Sequence, residues 1–472
     1  MSPQRDRPHI TVSINDQETS LSPLMSAGAG ATSGSPGSAP GRKANRMSMF
    51  EGRENFTWNV RPEPNEMYDN LQKFFPGVDL DKPLVEMPSG ASSPIESPGG
   101  QQQQAEQAQQ DKERAERRAR HKKSIRIVAN ERRKFLDRTS KMMAGAPPAV
   151  QQAAVSKRST KLWDIKVEEV TPNTAAAESP TSASAGGRAV TKWIKGDLIG
   201  KGTFGRVYLA LNVNTGEMIA VKQVELPKTD SDRNDTRQTL VVDAIKSESA
   251  TLRELSHPHV VEYLGFEETH EFFNLFLEYV PGGSVGGVLR KMGKFSENVC
   301  RSFTVQILEG LEYLHSRQVL HRDLKGDNIL VDQYGICKIS DFGISKRTND
   351  IYGLDASATN MQGSIFWMAP EVLSNGGQGY SAKIDIWSVG CIYVEMVTGH
   401  RPWRDEDFVS VMYKLGASKA RPPIPELSPL ASEFSGLCFE PDPNDRPTAA
   451  LLRKHRYLDL PTGWAFTSFT SG

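Results

Sequence analysis

The pattern of apolar and polar positions changes near residue 190. From Trp193 onward, short apolar runs come first and longer stretches with helical spacing follow. The runs VYLALN and MIAVKQV are separated by the turn sequence Asn214-Thr-Gly, and together they predict a β-hairpin. This order of elements predicts an α+β fold in which strands precede helices.

The first 190 residues have a different composition. They contain 8 of the 37 aromatic residues and 16 of the 29 prolines, together with a Gly/Ser/Ala/Pro tract and a glutamine run. Such segments bury too little apolar surface to offset the backbone entropy lost on ordering. We therefore interpret residues 1–190 as a mostly disordered regulatory region that contains short helical islands.

Three islands interrupt this region. In the first, five apolar residues at helical spacing precede Pro76-Gly77 and predict a short helix. That helix could dock on a partner or back on the folded domain, or remain an undocked nascent helix. The second island, residues 112–133, is rich in Arg and Lys, and either binds acidic partners, anionic lipid or an import receptor, or is a solvated charged helix. The third contains Trp163 and predicts no chemistry. The apolar residues of the first island are Met67, Tyr68, Leu71, Phe74 and Phe75.

Overall charge and cysteine usage narrow the class of protein. The chain has 57 basic and 57 acidic residues, which argues against a nucleic-acid-binding protein or one adsorbed to membranes over its whole surface. The polar N-terminus and the lack of long apolar stretches predict neither a signal peptide nor a transmembrane segment. The spacing of the four cysteines fits neither a zinc ribbon nor a disulfide scaffold, so we expect reduced thiols in a cytoplasmic protein.

A glycine-rich loop lies at the start of the hairpin. Its glycines, Gly200, Gly202 and Gly205, are followed by Val207. The same spacing occurs in dinucleotide-binding folds, but there the loop leads into a helix, whereas here it leads into strands. The loop is therefore expected to cover a nucleotide as a lid and to let backbone amides approach phosphates.

Lys222, on the second strand of the hairpin, faces the nucleotide if the hairpin lies over it, with a solvated edge charge as the alternative. Glu248 belongs to a helical stretch, DAIKSESATLREL, and can reach Lys222 as an ion pair. That pair would hold the ammonium group on the α- and β-phosphates, which favours the nucleotide interpretation.

Three further motifs follow in order. They are His321-Arg-Asp-Leu-Lys-Gly-Asp-Asn328, Ser340-Asp-Phe-Gly343 and Met368-Ala-Pro-Glu371. Within them, Asp323 has the chemistry of a base that orients an attacking hydroxyl and accepts its proton. Asn328 and Asp341 offer hard oxygen ligands of the kind that Mg²⁺ binds together with substrate phosphates.

On these motifs the sequence resembles the eukaryotic protein kinases over residues 193–458, leaving residues 459–472 as a short C-terminal tail. The resemblance implies a bilobal fold with a β-rich small lobe and a helical large lobe. It also implies that Lys325 contacts the transferring phosphate and that Ser364 bonds to Lys325 and Asp323, as in serine/threonine kinases. The implied ATP contacts are Ile199, Gly200, Lys201, Gly202, Gly205, Val207, Ala220, Lys222, Leu330 and the backbones of Glu278 and Val280.

The same resemblance implies supporting residues outside the ATP contacts. Leu277 would be the gatekeeper, and Leu252, Tyr263, His321 and Phe342 would form a packed column. Glu371 and Arg446 would form a buried ion pair, and Asp385 would hold the catalytic loop. Arg322 would pair with a phosphate on the activation loop, at Thr359 in preference to Ser357.

Longer segments such as FLEYVPGGSV and MQGSIFWMAPEV are similar to those of MAP kinase kinase kinases, and in particular to fungal members of the cell-wall-integrity pathway. That resemblance implies a MAP kinase kinase as substrate and an upstream activating kinase. Two alternatives stay open: a serine/threonine kinase of another tier, such as a Ste20-like activator, and a pseudokinase scaffold. Retention of Lys222, Asp323 and Asp341 argues against the scaffold.

Overall fold

The computed structural model describes residues 61–86, 122–142, 161–170, 190–202, 205–226, 242–243, 246, 249–342, 363–374 and 381–469. Strands dominate the described chain up to Glu278, and helices dominate it thereafter. The predicted α+β order is therefore confirmed.

In the part of the chain that the structure describes, five elements precede the main sheet. Two short helices are followed by a two-stranded antiparallel ladder and a long helix. They are α1 (Pro64–Asp69), α2 (Leu71–Phe74), β1 (Pro83–Glu86), β2 (Lys122–Ser124) and α3 (Ile125–Met142).

The small lobe is built on a six-stranded sheet in the order β3-β4-β5-β6-β8-β7. The β3–β4 pair is parallel and the others are antiparallel. The predicted hairpin is formed by β5 and β6, with Gly216 in the turn at a left-handed φ of 69°. The strands are β3 (Val167–Glu169), β4 (Thr191–Gly202), β5 (Gly205–Asn212), β6 (Met218–Glu225), β7 (Tyr263–Glu268) and β8 (Phe272–Glu278).

Residues 61–86 and 122–142 together cover one side of this sheet, and we call them the N-terminal layer. The helix predicted in the first island is present as α1 and α2, which meet at Asn70. Its five apolar residues are buried against side chains that include Leu209, Leu211 and Met218. The Tyr68 hydroxyl donates a hydrogen bond to the carbonyl of Gly216 (2.8 Å). Of the three interpretations of this island, docking back on the folded domain is the one observed.

The basic island is amphipathic where the structure describes it. Ile125, Val128 and Ala129 of α3 are buried in the same apolar cluster. On the exposed side, Arg126 pairs with Asp81 at 2.7 Å. A wholly solvated charged helix is therefore wrong for residues 122–133, because one face packs on the small lobe. Residues 112–121 lie outside the described ranges.

The third island also packs on the small lobe. Leu162 is buried among side chains of the main sheet. The indole of Trp163 donates to the Tyr263 carbonyl at 3.3 Å. The division at residue 190 stays a prediction, but the described islands belong structurally with the sheet that follows them.

Within the described residues, the large lobe is helical with one short antiparallel ladder. Its core surrounds α5 and α7, which contact each other and each carry a row of buried apolar side chains. The elements are α4 (Val285–Met292), α5 (Glu297–Ser316), β9 (Ile329–Val331), β10 (Cys337–Ile339), α6 (Pro370–Ser374), α7 (Lys383–Thr398), α8 (Phe408–Ser418), α9 (Pro429–Cys438) and α10 (Ala449–Leu452). Single 3₁₀ turns lie at Gly326–Asn328, Ile365–Trp367 and Arg456–Leu458.

A buried ion pair joins two distant parts of this lobe. Arg446, with no exposed surface, donates to both carboxylate oxygens of Glu371, at 2.8 and 3.2 Å. The same guanidinium donates to the carbonyls of Lys383 and Glu440. The pair expected from the sequence is therefore confirmed, and each partner satisfies the charge of the other.

All four cysteines are free and buried. Burial raises the pKa of each thiol above its ordinary value. They therefore pack as small apolar groups and lack the exposure and low pKa of reactive thiols. Among the described residues, no helix has the length and apolar character needed to cross a bilayer.

Candidate active site

The site lies between the two lobes. Lys222, on β6, is almost fully buried, and its Nζ is 2.7 Å from Oδ1 of Asp341, which follows β10. Desolvation opposes the charged form of Asp341, but Lys222, together with His321 and Lys325, outweighs that effect and holds the pKa of the carboxyl below its ordinary value. The pair places a fixed positive charge opposite a fixed negative one across the cleft.

The loop of residues 321–328, which we call the catalytic loop, carries a second polar cluster. The ammonium of Lys325 is 2.9 Å from Oδ2 of Asp323 and 3.1 Å from Oγ of Ser364. The side-chain amide of Asn328 donates to the Asp323 carbonyl (2.7 Å) and lies 3.3 Å from Oδ2 of the same residue. A carboxylate, an ammonium and a hydroxyl therefore converge beside a cleft. That cleft is lined by residues that include Asp323, Ser364, Trp367, Met368 and Val372.

Asp385, on α7, holds the backbone of the catalytic loop in place. Its carboxylate is fully buried and accepts hydrogen bonds from the backbone amides of His321 (3.0 Å) and Arg322 (2.9 Å). Burial raises its pKa, but bonds from His315 and the catalytic loop outweigh this and lower the pKa overall. Arg322 has a left-handed φ of 67°, so these bonds hold strained backbone next to Asp323.

The predicted packed column is present in part. Tyr263 and Phe342 meet edge to face with ring centroids 5.2 Å apart, and the Tyr263 hydroxyl donates to the Phe342 carbonyl. Leu252 belongs to the same buried cluster. His321 is fully buried, and its Nε2 lies 2.9 Å from the Ser340 carbonyl.

The predicted nucleotide contacts surround the cleft from both lobes. On the small-lobe side, β4 carries Ile199, Gly200, Lys201 and Gly202, and Gly202 pairs with Gly205 of β5. Val207 lies opposite Lys222, and Ala220 lies opposite Leu277. Leu330, on β9, closes the slot from the large lobe within the same apolar cluster. Glu278 ends β8, and Val280 follows it in the connection between the lobes.

The residues fit a divalent cation of the oxygen-preferring kind. The amide nitrogen of Asn328 is committed to Asp323, so its carbonyl oxygen is the atom that can face a cation. Asp341 adds a carboxylate kept in its charged form. Within the described ranges, no three His, Cys, Asp or Glu side chains cluster into a metal site by themselves. Mg²⁺ is typically bound by a few protein ligands, and phosphates and water complete its coordination shell.

Some predicted partners lie outside the described residues. Glu248 is one of them, so the Lys222–Glu248 pair stays a prediction, and the described partner of Lys222 is Asp341. Thr359 and Ser357 also lie outside the described ranges. Of the lysine, base, hydroxyl and metal-ligand positions that were predicted, the structure brings together Lys222, Asp323, Lys325, Asn328, Asp341 and Ser364.

Two supporting groups were not anticipated. Lys338, 1% exposed, pairs with Glu278 at 2.9 Å behind the connection between the lobes. Glu395, on α7, accepts hydrogen bonds from the Trp367 indole (2.8 Å) and the Gly326 amide (3.0 Å), and thereby links the catalytic loop to the segment that carries Ser364. A lone Glu within an apolar helix was the available signal for the second group.

Glu395 should make stability depend on pH. Burial raises the pKa of its carboxyl to about 8 from 4.5, so between these values the folded chain keeps a proton that the unfolded chain has lost. Its stabilising contribution is full below pH 4.5 and is lost as the pH rises through about 8, at a rate of about 1.4 kcal/mol per pH unit in between. We expect Glu395→Gln to flatten the decline of Tm between pH 6 and 8 by a few degrees.

Thermal unfolding across that pH range measures the effect. Glu131→Gln, an exposed glutamate in a surface ion pair, is the matched control and should keep the wild-type slope. An unchanged slope in Glu395→Gln would show that its carboxyl is already ionised in the folded chain.

A bilobal fold with a glycine loop, a buried lysine–aspartate pair and a carboxylate–ammonium–hydroxyl cluster defines a protein kinase. The family model for the protein kinase domain matches residues 193–458, and the chain belongs to this family.

Three of its curated relatives are fungal kinases. The chain is 42% identical to the MAP kinase kinase kinase mkh1 of Schizosaccharomyces pombe, over 85% of this chain and 34% of that protein. It is 41% identical to the serine/threonine-protein kinase BCK1/SLK1/SSP31 of Saccharomyces cerevisiae, over 86% of this chain and 29% of that protein. It is 39% identical to MCK1 of Pyricularia oryzae, over 87% of this chain and 32% of that protein. The chain thus spans about a third of the length of these relatives.

Proposed function

We propose that the protein is a serine/threonine kinase of the MAP kinase kinase kinase tier. It transfers the γ-phosphoryl group of ATP to Ser or Thr of a MAP kinase kinase in a cascade of the cell-wall-integrity type. The observation that carries the serine/threonine chemistry is the contact of Lys325 with both Asp323 and Ser364. The tier rests on the similarity to the fungal relatives.

Transfer begins with the substrate hydroxyl beside Asp323. The carboxylate accepts a hydrogen bond from that hydroxyl, orients it in line with the γ-phosphorus and takes its proton as the new O–P bond forms. Lys325 stabilises the negative charge on the transferring group, and Ser364 fixes the position of Lys325. Positioning supplies much of the acceleration, because these groups are already held in place by neighbouring hydrogen bonds.

Lys222 anchors the nucleotide phosphates, and the glycine loop from Gly200 to Gly205 covers them. Asn328 and Asp341 would hold Mg²⁺, which when bound neutralises phosphate charge. The pairing of Lys222 with Asp341 favours the carboxylate form of Asp341 and holds both side chains in place before the nucleotide arrives. We further propose a cytoplasmic protein that is switched on by an upstream kinase, through a phosphate on the segment near Thr359 that pairs with Arg322.

Phosphate transfer by the full chain tests the proposal. The acceptors are a kinase-dead MAP kinase kinase and a generic basic protein, with Mg²⁺ and ATP supplied and Asp323→Asn as the inactive control. We expect labelling mainly on activation-loop Ser and Thr of the MAP kinase kinase, identified by mass spectrometry.

Each of the other outcomes would support a different function. Equal labelling of both acceptors would contradict the tier and favour a kinase such as a Ste20-like activator. No labelling, even after phosphorylation of the loop, would favour a scaffold that has the fold without the chemistry.

A further inference from the structure

A short segment of the N-terminal layer runs along the connection between the two lobes. The Tyr279 hydroxyl donates to the Pro62 carbonyl at 2.7 Å, and the Gly282 amide donates to the Arg61 carbonyl at 3.3 Å. Two hydrogen bonds on either side of Val280 thus hold Arg61 and Pro62 against the connection. This segment lies outside residues 193–458 and has no part in the nucleotide site described above.

The segment is anchored to the small lobe by the helix that follows it. Met67 and Tyr68 of α1 are buried in the cluster that also contains Tyr279. Arg61 is therefore held by contacts on both sides, through the buried helix and through Gly282.

The Arg61 side chain points into the nucleotide cleft. Its Nη1 is 3.5 Å from the carbonyl of Val280, whose backbone is the proposed adenine contact. Desolvation lowers the pKa of the guanidinium, and the negative charge of Asp341, which pairs with Lys222, opposes that shift. The contact with Val280 therefore places a desolvated guanidinium at the connection end of the cleft.

An arginine side chain at this position competes with a bound purine for the space beside Val280. Its guanidinium donates to the carbonyl of the connection and so occupies that acceptor. The hydrogen bonds from Tyr279 and Gly282 to the backbone of residues 61 and 62, and the side chain's own contact with the Val280 carbonyl, favour the position of the side chain at the connection.

We propose that Arg61 plugs the adenine end of the cleft and must swing out before ATP binds. The inference rests on the proposed nucleotide site, of which Val280 is a part. The apparent affinity for ATP is then the intrinsic affinity multiplied by the fraction of molecules in which the plug is out. A partner or modification that pulled the N-terminal layer away from the connection would raise that affinity with no change at the catalytic loop.

Nucleotide titration of the full chain tests the plug. We expect Arg61→Ala to lower the Kd for a fluorescent ATP analogue by about three- to tenfold, as a plug closed in most molecules would require. The gain in phosphate-transfer rate should be largest at low ATP and vanish at saturating ATP. Tyr279→Phe removes the hydrogen bond to Pro62 and should lower the Kd in the same direction by a smaller factor. Arg126→Ala, in an exposed pair elsewhere in the N-terminal layer, is the matched control and should leave the Kd unchanged.

The outcomes separate this inference from the proposed function. If the wild type binds the analogue and Arg61→Ala binds it with equal or weaker affinity, the plug is overturned while the kinase assignment stands. A weaker affinity would make Arg61 a nucleotide contact. If neither protein binds the analogue, the nucleotide site itself fails and the plug fails with it. Tighter binding by both Arg61→Ala and Tyr279→Phe, with normal thermal unfolding, supports the plug.

Discussion

Asp323→Asn is expected to lower kcat by about 10²–10⁴-fold, the range attributed to a positioned general base. The amide cannot accept the proton of the substrate hydroxyl, and it weakens the charge-assisted contact with Lys325, now 2.9 Å long. The Lys222–Asp341 pair lies elsewhere in the cleft and should be untouched. Affinity for ATP should therefore change little. Single-turnover phosphate transfer and nucleotide titration measure the two quantities separately.

Asp327→Asn is the matched control for this substitution. Asp327 belongs to the same loop, but its carboxylate pairs with exposed Arg290. We expect activity within a few-fold of the wild type. Wild-type-like turnover in Asp323→Asn would remove Asp323 from the role of base. A parallel loss of ATP affinity would instead indicate a structural role.

The second large effect is on stability. Arg446→Met should destabilise the fold by about 3–5 kcal/mol, the usual cost of removing one partner of a buried ion pair. Glu371 would keep a buried charge without its guanidinium, and the carbonyls of Lys383 and Glu440 would lose a donor. This corresponds to a decrease in Tm of about 4–8 °C. Thermal unfolding of the full chain measures it.

Two further variants check the cause. Arg253→Met removes an arginine from the exposed pair with Asp164 and should lower Tm very little. The double variant Arg446→Met with Glu371→Met removes both charges and should recover part of the loss. If Arg446→Met is no less stable than Arg253→Met, the pair contributes nothing to the fold.

Sequence reasoning found the chemistry of the site because that chemistry is local. Asp323, Lys325 and Asn328 lie within six residues of one another, and their types and spacing alone indicate a phosphotransfer loop. The hairpin was predictable for the same reason, since its turn residues lie between two alternating apolar runs. The Glu371–Arg446 pair joins residues 75 apart and was reachable only through resemblance to a family.

The rest depends on which surfaces meet. The five apolar residues of the first island predicted a helix, but nothing in them distinguished an external partner from the back of β5 and β6. The burial of one face of α3 was masked by its many Arg and Lys residues. The position of Arg61 could not be predicted from the sequence, because it is set by hydrogen bonds of the backbone of residues 61 and 62 to Tyr279 and Gly282.

The packing of the N-terminal layer extends the folded unit beyond the matched kinase domain. The family match begins at residue 193, yet Ile194, Leu209 and Leu211 bury their side chains against residues more than a hundred positions earlier. In the absence of those residues, the small lobe would present a continuous apolar patch to water, of the kind that drives association between molecules. The N-terminal layer and the nucleotide cleft thus belong to one cooperative unit, which extends well beyond the boundary that similarity alone would draw.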